Sequence, residues 1–186
     1  MIRLFMLVIF SAFVTACVNR PVDFSLPDIV QFDGQRYQKI TDNRLDEMRQ
    51  LLYLPSDGAK DPENWQQGIL FFLDKNTIHK SLEKRLTLRE KLFEKQSNLQ
   101  KKLVIEDGEL RSQIIYPPTD RFHNIQLELS RGRNLPCGFG QIQFSNKRSI
   151  TAENLTKNSV DLTADQLEIA QLAEKFILFP WLIECK

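Results

Sequence analysis

Asn124-Ile125-Gln126-Leu127-Glu128-Leu129-Ser130 is the stretch whose reading decides the fold. Ile125, Leu127 and Leu129 fall on one side of an extended chain and Gln126, Glu128 and Ser130 on the other, because successive β side chains point to opposite faces. A strand patterned this way belongs to an antiparallel sheet with one face on a core and one toward water. Working outward, residues 103–106 and 109–116 flank Asp107-Gly108, whose tolerance of positive φ is a strong hairpin signal. Pro117 and Pro118 end the second of these strands, since neither can donate to a ladder. Downstream, Gly132 offers a turn and residues 137–145 read as the next strand, with Ile142 and Phe144 inward.

The flanks carry the helices. Residues 162–179 read as a helix with a capping box of Thr163 and Gln166, a Leu162–Leu167 staple and a stop at Pro180. After it, residues 181–186 run extended and carry Cys185 back toward Cys137. Residues 150–158 are one helical turn or a loop. In the first half, residues 28–40 alternate across Asp33-Gly34, a hairpin that places Val30 opposite Tyr37. Thr41 or Asp42 then caps an expected helix to about Leu52, with Leu45, Met48 and Leu52 as its stripe. Residues 53–64 form a loop, and the apolar run 69–73 suits a buried strand. The longest expected helix covers 77–99, burying Ile78, Leu82, Leu86 and Phe93, with Leu88, Leu92 and Leu99 beside them.

These elements make one α+β domain: an antiparallel sheet of five to seven strands with two or three helices on one face. The expected organisation is a leader over 1–16, a tether over 17–27 and the domain over 28–186. One domain accords with length, and about 170 residues bury a core without needing a metal. The chain has 25 Lys plus Arg against 24 Asp plus Glu, so net charge steers it toward neither nucleic acid nor any other charged class of partner.

The first seventeen residues supply an address. Arg3 is a lone cation, residues 4–13 are mostly apolar, and Val14-Thr15-Ala16-Cys17 follows. Ten or so apolar residues are too few to span a bilayer, which takes about 20. This ending resembles the lipobox of bacterial lipoproteins, in which the cysteine is acylated and becomes the new N-terminus. The resemblance implies a lipid on Cys17 and a membrane as the first partner. Val18 is not the aspartate that favours inner-membrane retention, which implies an outer-membrane anchor facing the periplasm; the outer face of a cytoplasmic membrane is the alternative.

With Cys17 taken by the anchor, Cys137 and Cys185 remain, an even pair in an oxidising compartment. A bridge between them closes a 49-residue loop, which the chain-entropy picture values at roughly 4 kcal/mol.

Motifs for chemistry are sparse. His79 and Glu83 lie one helical turn apart, but the other histidine, His123, is far away in sequence and no zinc pattern joins them, so neither metal nor cofactor is expected. No serine sits in a nucleophile elbow, and no catalytic residue is assigned. Two basic features invite binding. Lys80, Lys84, Arg85, Arg89, Lys91, Lys95, Lys101 and Lys102 outnumber Glu83, Glu90 and Glu94, so Lys84, Arg85, Lys91 and Lys95 are candidates for a face that meets an acidic partner or anionic lipid. Arg131 and Arg133 flank Gly132 and are candidates to clamp a carboxylate or phosphate. The expected function is non-catalytic: a lipid-anchored envelope module that binds an envelope protein or supports an assembly. An inhibitor or immunity protein, or less readily a small envelope enzyme, is the alternative.

Overall fold

The computed structural model describes residues 22–96, 98–119, 121–150 and 161–186. Two short strands and one long sheet account for its strands. Phe24–Ser25 (β1) pairs with Glu184–Cys185 (β10). The long sheet is built from Ile29–Phe32 (β2), Gln35–Leu45 (β3), Met48–Pro55 (β4), Gln67–Asp74 (β5), Gln100–Glu106 (β6), Glu109–Tyr116 (β7), Asn124–Leu135 (β8) and Gly138–Ser149 (β9). It runs β2-β3-β4-β5-β9-β8-β7-β6, antiparallel throughout. The helices are Leu82–Phe93 (α1) and Thr163–Leu178 (α2). The architecture is α+β, with eight strands in the main sheet rather than five to seven.

The extra strands come from residues 41–52, where the expected helix is instead the β3–β4 hairpin. Leu45 pairs with Met48 across a turn at Asp46 (φ 51°), and Leu45 is 75% exposed, so the apparent helical stripe buries nothing at this point. Leu51, Leu52, Tyr53 and Leu54 are buried consecutively, the signature of a central strand covered on both faces. The hairpins at Asp33-Gly34 and Asp107-Gly108 form as read, with all four residues at positive φ and Val30 opposite Tyr37. Gly132 is not a turn residue. It lies inside β8, where a Cβ would press on the Phe139 ring at 2.5 Å.

The helices occupy opposite faces of the sheet rather than one. On the first face α2 buries Ile169, Ala173 and Phe176 against Leu127, Leu129, Ile142 and Phe144. Phe32 anchors this layer edge-on to Phe144, Phe176 and Phe179, with ring centroids 5.0, 5.4 and 5.3 Å away. The capping box does not form. Asp161 accepts from the Thr163 N–H and hydroxyl instead, Gln166 donates to Gln100, and Leu167 is exposed. Pro180 follows the helix end as expected.

α1 lies over the second face and is shorter than the expected 77–99 helix. Asn76 and His79 both take positive φ, which breaks helical geometry, and Ser81 supplies the N-cap by accepting from the Lys84 N–H. Its buried side also differs from the apolar stripe expected of it. Ile78 is 71% exposed and Leu88 and Leu92 are exposed, whereas Arg85 and Arg89 turn in toward the sheet beside Phe93.

Cys137 and Cys185 form a disulfide with Cα atoms 5.6 Å apart. It joins the β8–β9 turn to β10, and the Asp23 and Lys186 backbones bond each other in both directions at 2.8 and 2.9 Å. Phe24 is buried in the main core, and Pro27 accepts from the Tyr53 hydroxyl at 2.7 Å. The fold therefore starts before residue 28, inside the expected tether. Residues 1–17, and most of the uncertain segment 150–158, lie outside the described residues.

Candidate functional site: the cleft beneath α1

Strand alternation places an apolar row on the first face and, one residue out of phase, a polar row on the second. Ser112, Ser130, Gln141, Gln143 and Ser145 are all buried on that second face. They satisfy one another: the Ser112 and Ser130 hydroxyls are 2.6 Å apart, Gln141 donates to Gln143 at 3.3 Å, and Gln143 donates to Ser145 at 3.2 Å. Buried polar groups persist only when paired in this way. The sequence pattern places these side chains toward water, and the structure covers them with a second layer.

Two cavities open on this face. The smaller, about 240 Å³, lies among Phe72, Asp74, Arg85, Arg89, Gln141 and Gln143. Arg85 donates to Asp74 at 2.8 Å and stacks 3.9 Å above the Phe139 ring, while its buried Nε has no hydrogen-bond partner. Arg89 donates to the Gln141 side-chain oxygen. Among the described residues no carboxylate lies within 4 Å of Arg89, and burial lowers its pKa.

The larger cavity, about 640 Å³, lies between the α1–β6 connection, the β7–β8 connection and the ends of β8 and β9. Leu99, Tyr116, Pro117 and Phe122 supply apolar wall, and Lys95, Arg121, Lys147 and Glu128 supply charge. This volume falls within the roughly 300–1,000 Å³ of small-ligand sites. Burial pushes the Glu128 carboxyl up to about 7, against the opposing pull of Arg89 and hydrogen bonds from Tyr116 and Gln126. Burial also raises the Tyr116 phenol and lowers the Lys147 ammonium. Lys147 lies 3.5 Å from the Trp65 ring centroid and Arg121 lies 5.2 Å above Phe122.

The residues singled out from sequence scatter. Lys84 and Lys91 are exposed on α1, Lys95 is exposed just beyond its end and lines the larger cavity, and Arg85 is tied to Asp74 within the smaller. Arg131 and Arg133 do hold a carboxylate, but it is the chain's own Glu109. Arg131, only 5% exposed, reaches it at 2.7 and 2.9 Å, Arg133 at 2.5 Å and Arg111 at 2.8 Å. Arg131 also donates to the carbonyls of Phe176 and Phe179 at 2.9 and 2.7 Å, satisfying the end of α2. Burial alone would raise the Glu109 carboxyl, but hydrogen bonds from Arg131, Arg111 and Arg133 outweigh it and hold the group at about 2. Arg131 and Arg133 therefore stabilise the fold, and do not form an open clamp. Among the described residues no cluster of three or more His, Cys, Asp or Glu has metal-holding geometry, and no helix is long and apolar enough to cross a membrane.

Glu128, Arg89, Tyr116 and Lys147 were not singled out by sequence reasoning. Their only signal was register: Gln141, Gln143 and Ser145 repeat at the same alternate spacing as Gln126, Glu128 and Ser130.

An uncharacterized protein of Haemophilus influenzae is 25% identical over 155 residues, covering 78% of this chain and 79% of that one. No solved structure matches. A protein-family model matches residues 24–181, from the first core phenylalanine through both cavities to the end of α2, and the chain belongs to that family.

Proposed function

We propose that the protein is a lipid-anchored cell-envelope module whose non-catalytic task is to bind a ligand in the larger cleft, beside the α1–β6 connection. The observation that carries this reading is the 640 Å³ cavity with mixed apolar and charged walls, built on the rigid sheet rather than on loops alone. The leader ending at Cys17 supports attachment to the outer membrane on its periplasmic side, or to the outer face of a cytoplasmic membrane. The Cys137–Cys185 disulfide accords with an oxidising compartment. The membrane is then one partner, and an envelope protein that delivers or accepts the ligand is another.

Two experiments test the two halves. Cys17→Ser should abolish fatty-acid labelling and release the protein from membranes; unchanged labelling and fractionation would defeat the anchor. Native mass spectrometry of full-length protein purified from its own envelope should reveal a non-covalent adduct that a folded Gln126→Trp variant, with the cavity filled, lacks. Equal spectra would defeat the cleft.

A small envelope enzyme is the second reading, favoured by Glu128, a carboxyl near 7 in a cavity beside Tyr116. The two part at Glu128→Gln, which leaves a binding module loaded with its adduct but makes an enzyme accumulate unconverted ligand.

A further inference from the structure

The arginines of this fold divide into two populations. Arg44, Arg49, Arg85, Arg111, Arg131, Arg133 and Arg148 each lie within 4 Å of a carboxylate. Arg36, Arg89 and Arg121 do not, among the described residues; Arg36 is exposed on β3 and lines neither cavity, whereas Arg89 and Arg121 each line a cavity on the second face. Among the described residues, Lys95 and Lys147 on the larger cavity are likewise without an ion pair. Lys147 is half-buried against Trp65, so its ammonium has given up water without gaining a counter-charge.

Against these cations the described lining of the larger cavity offers one carboxyl, Glu128, so the described lining stays net positive even when Glu128 is ionised. The same cavity has an apolar side formed by Leu99, Tyr116, Pro117 and Phe122, and the Phe122 ring is exposed. A half-buried ammonium at Lys147, with the exposed Arg121 and Lys95 cations at the rim beside an apolar wall, is complementary to a molecule bearing both an anion and a hydrocarbon or ring body.

Resting on the cleft reading above, we propose that the larger cavity binds an anionic amphiphile, with its carboxylate or phosphate held by Lys147 and Arg121 and its apolar body laid along Leu99, Pro117 and Phe122. The same head chemistry occurs in a free amphiphile and in a lipid headgroup, so the test separates the two sources. Groups facing Glu128 are Arg89 from α1, Tyr116 from β7 and Gln126 from its own strand. As pH falls from 8 to 6 Glu128 takes up a proton, repulsion of the anionic head declines and affinity rises.

Trp65, beside Lys147, provides a local reporter, and Trp181→Phe removes the other tryptophan. The full-length anchored protein in neutral-lipid nanodiscs is titrated with decanoate, decyl phosphate, decyl maltoside and decyltrimethylammonium, with empty discs subtracted. Saturable change in Trp65 emission is expected for the two anionic probes, with the neutral and cationic probes at least about tenfold weaker, the factor for losing a charge-assisted hydrogen bond. Lys147→Gln combined with Arg121→Gln should weaken the anionic probes by about tenfold or more and leave decyl maltoside unchanged. Discs carrying phosphatidylglycerol that saturate Trp65 without added probe identify the lipid headgroup as source; discs that do not, while free decyl phosphate does, identify the free amphiphile.

Equal affinity for decyl maltoside, or unchanged affinity in the double variant, overturns the anionic assignment. A native adduct without any decyl probe binding likewise overturns it and leaves the cleft reading standing. Absence of both adduct and probe binding removes the cleft reading itself.

Discussion

Glu109, buried, and Glu128, half-buried, are glutamates of neighbouring strands on opposite faces of one sheet, and their surroundings drive them apart. Glu109 is wholly buried, gripped by three arginines that also hold the end of α2, and stays ionised down to about 2. Glu128 faces Arg89 without an ion pair, accepts from Tyr116 and Gln126, and titrates near 7. The difference separates charge that maintains the fold from charge left with unfilled capacity. A closed network returns the cost of desolvation within the protein, whereas an open one keeps donors and cations for something else.

The comparison breaks first at Glu109. Glu109→Gln should destabilise the protein by about 3–5 kcal/mol at pH 7, because three guanidiniums lose their shared counter-charge. Chemical denaturation measures it, and a loss below about 1 kcal/mol would deny the network its structural role. In the unaltered protein a depressed carboxyl stabilises the fold above its ordinary 4.5, and that contribution is lost as pH falls from 4.5 through about 2.

Glu128 should give the opposite sign. A raised carboxyl penalises the fold once pH exceeds 4.5, where the unfolded chain ionises, and the penalty is complete above about 7. Glu128→Gln removes it and should stabilise the protein by about 2–3 kcal/mol at pH 8, with no gain at pH 4. Melting curves at the two pH values decide it, and destabilisation at pH 8 would place Glu128 among the structural charges.

The smallest effect sharpens the contrast of faces. Gln143→Leu should destabilise the protein by about 1–2 kcal/mol, since the apolar area gained beside Leu70 only partly offsets the partners lost by the buried Gln141 amide and Ser145 hydroxyl. A loss above about 2 kcal/mol, read by the same denaturation, would show that the polar row supports the sheet rather than the cleft.

Features controlled by local backbone were legible in the sequence. Asp33-Gly34 and Asp107-Gly108 encode their turns in residues that accept positive φ, and Pro180 sits beyond a helix it cannot continue. Features controlled by distant partners were not. Leu45, Met48 and Leu52 have helical spacing, yet residues 41–52 are strand because β5 is available to pair with β4. Arg85 and Arg89 read as solvent-facing because nothing local announces Asp74 and Gln141 beneath them. The cleft was invisible for the same reason: the pattern around Glu128 distinguishes the two faces of its strand, but says nothing of a helix that covers the polar one.

The pairing of the chain ends has a mechanical consequence. β10 is covalently fixed through Cys185, whereas β1 is held by two strand rungs, the Asp23–Lys186 pair and the seating of Phe24. Tension on the N-terminus would load β1 alone, and stripping it leaves the disulfide-fixed strand in place as a template for re-seating. Freeing residues 23–28 lengthens the leash by up to about 20 Å at an extended rise of roughly 3.3 Å per residue. Under the Cys17 anchoring proposed above, the N-terminal end of the fold would then work as a resettable slip joint, letting the body rise from the surface under load and return.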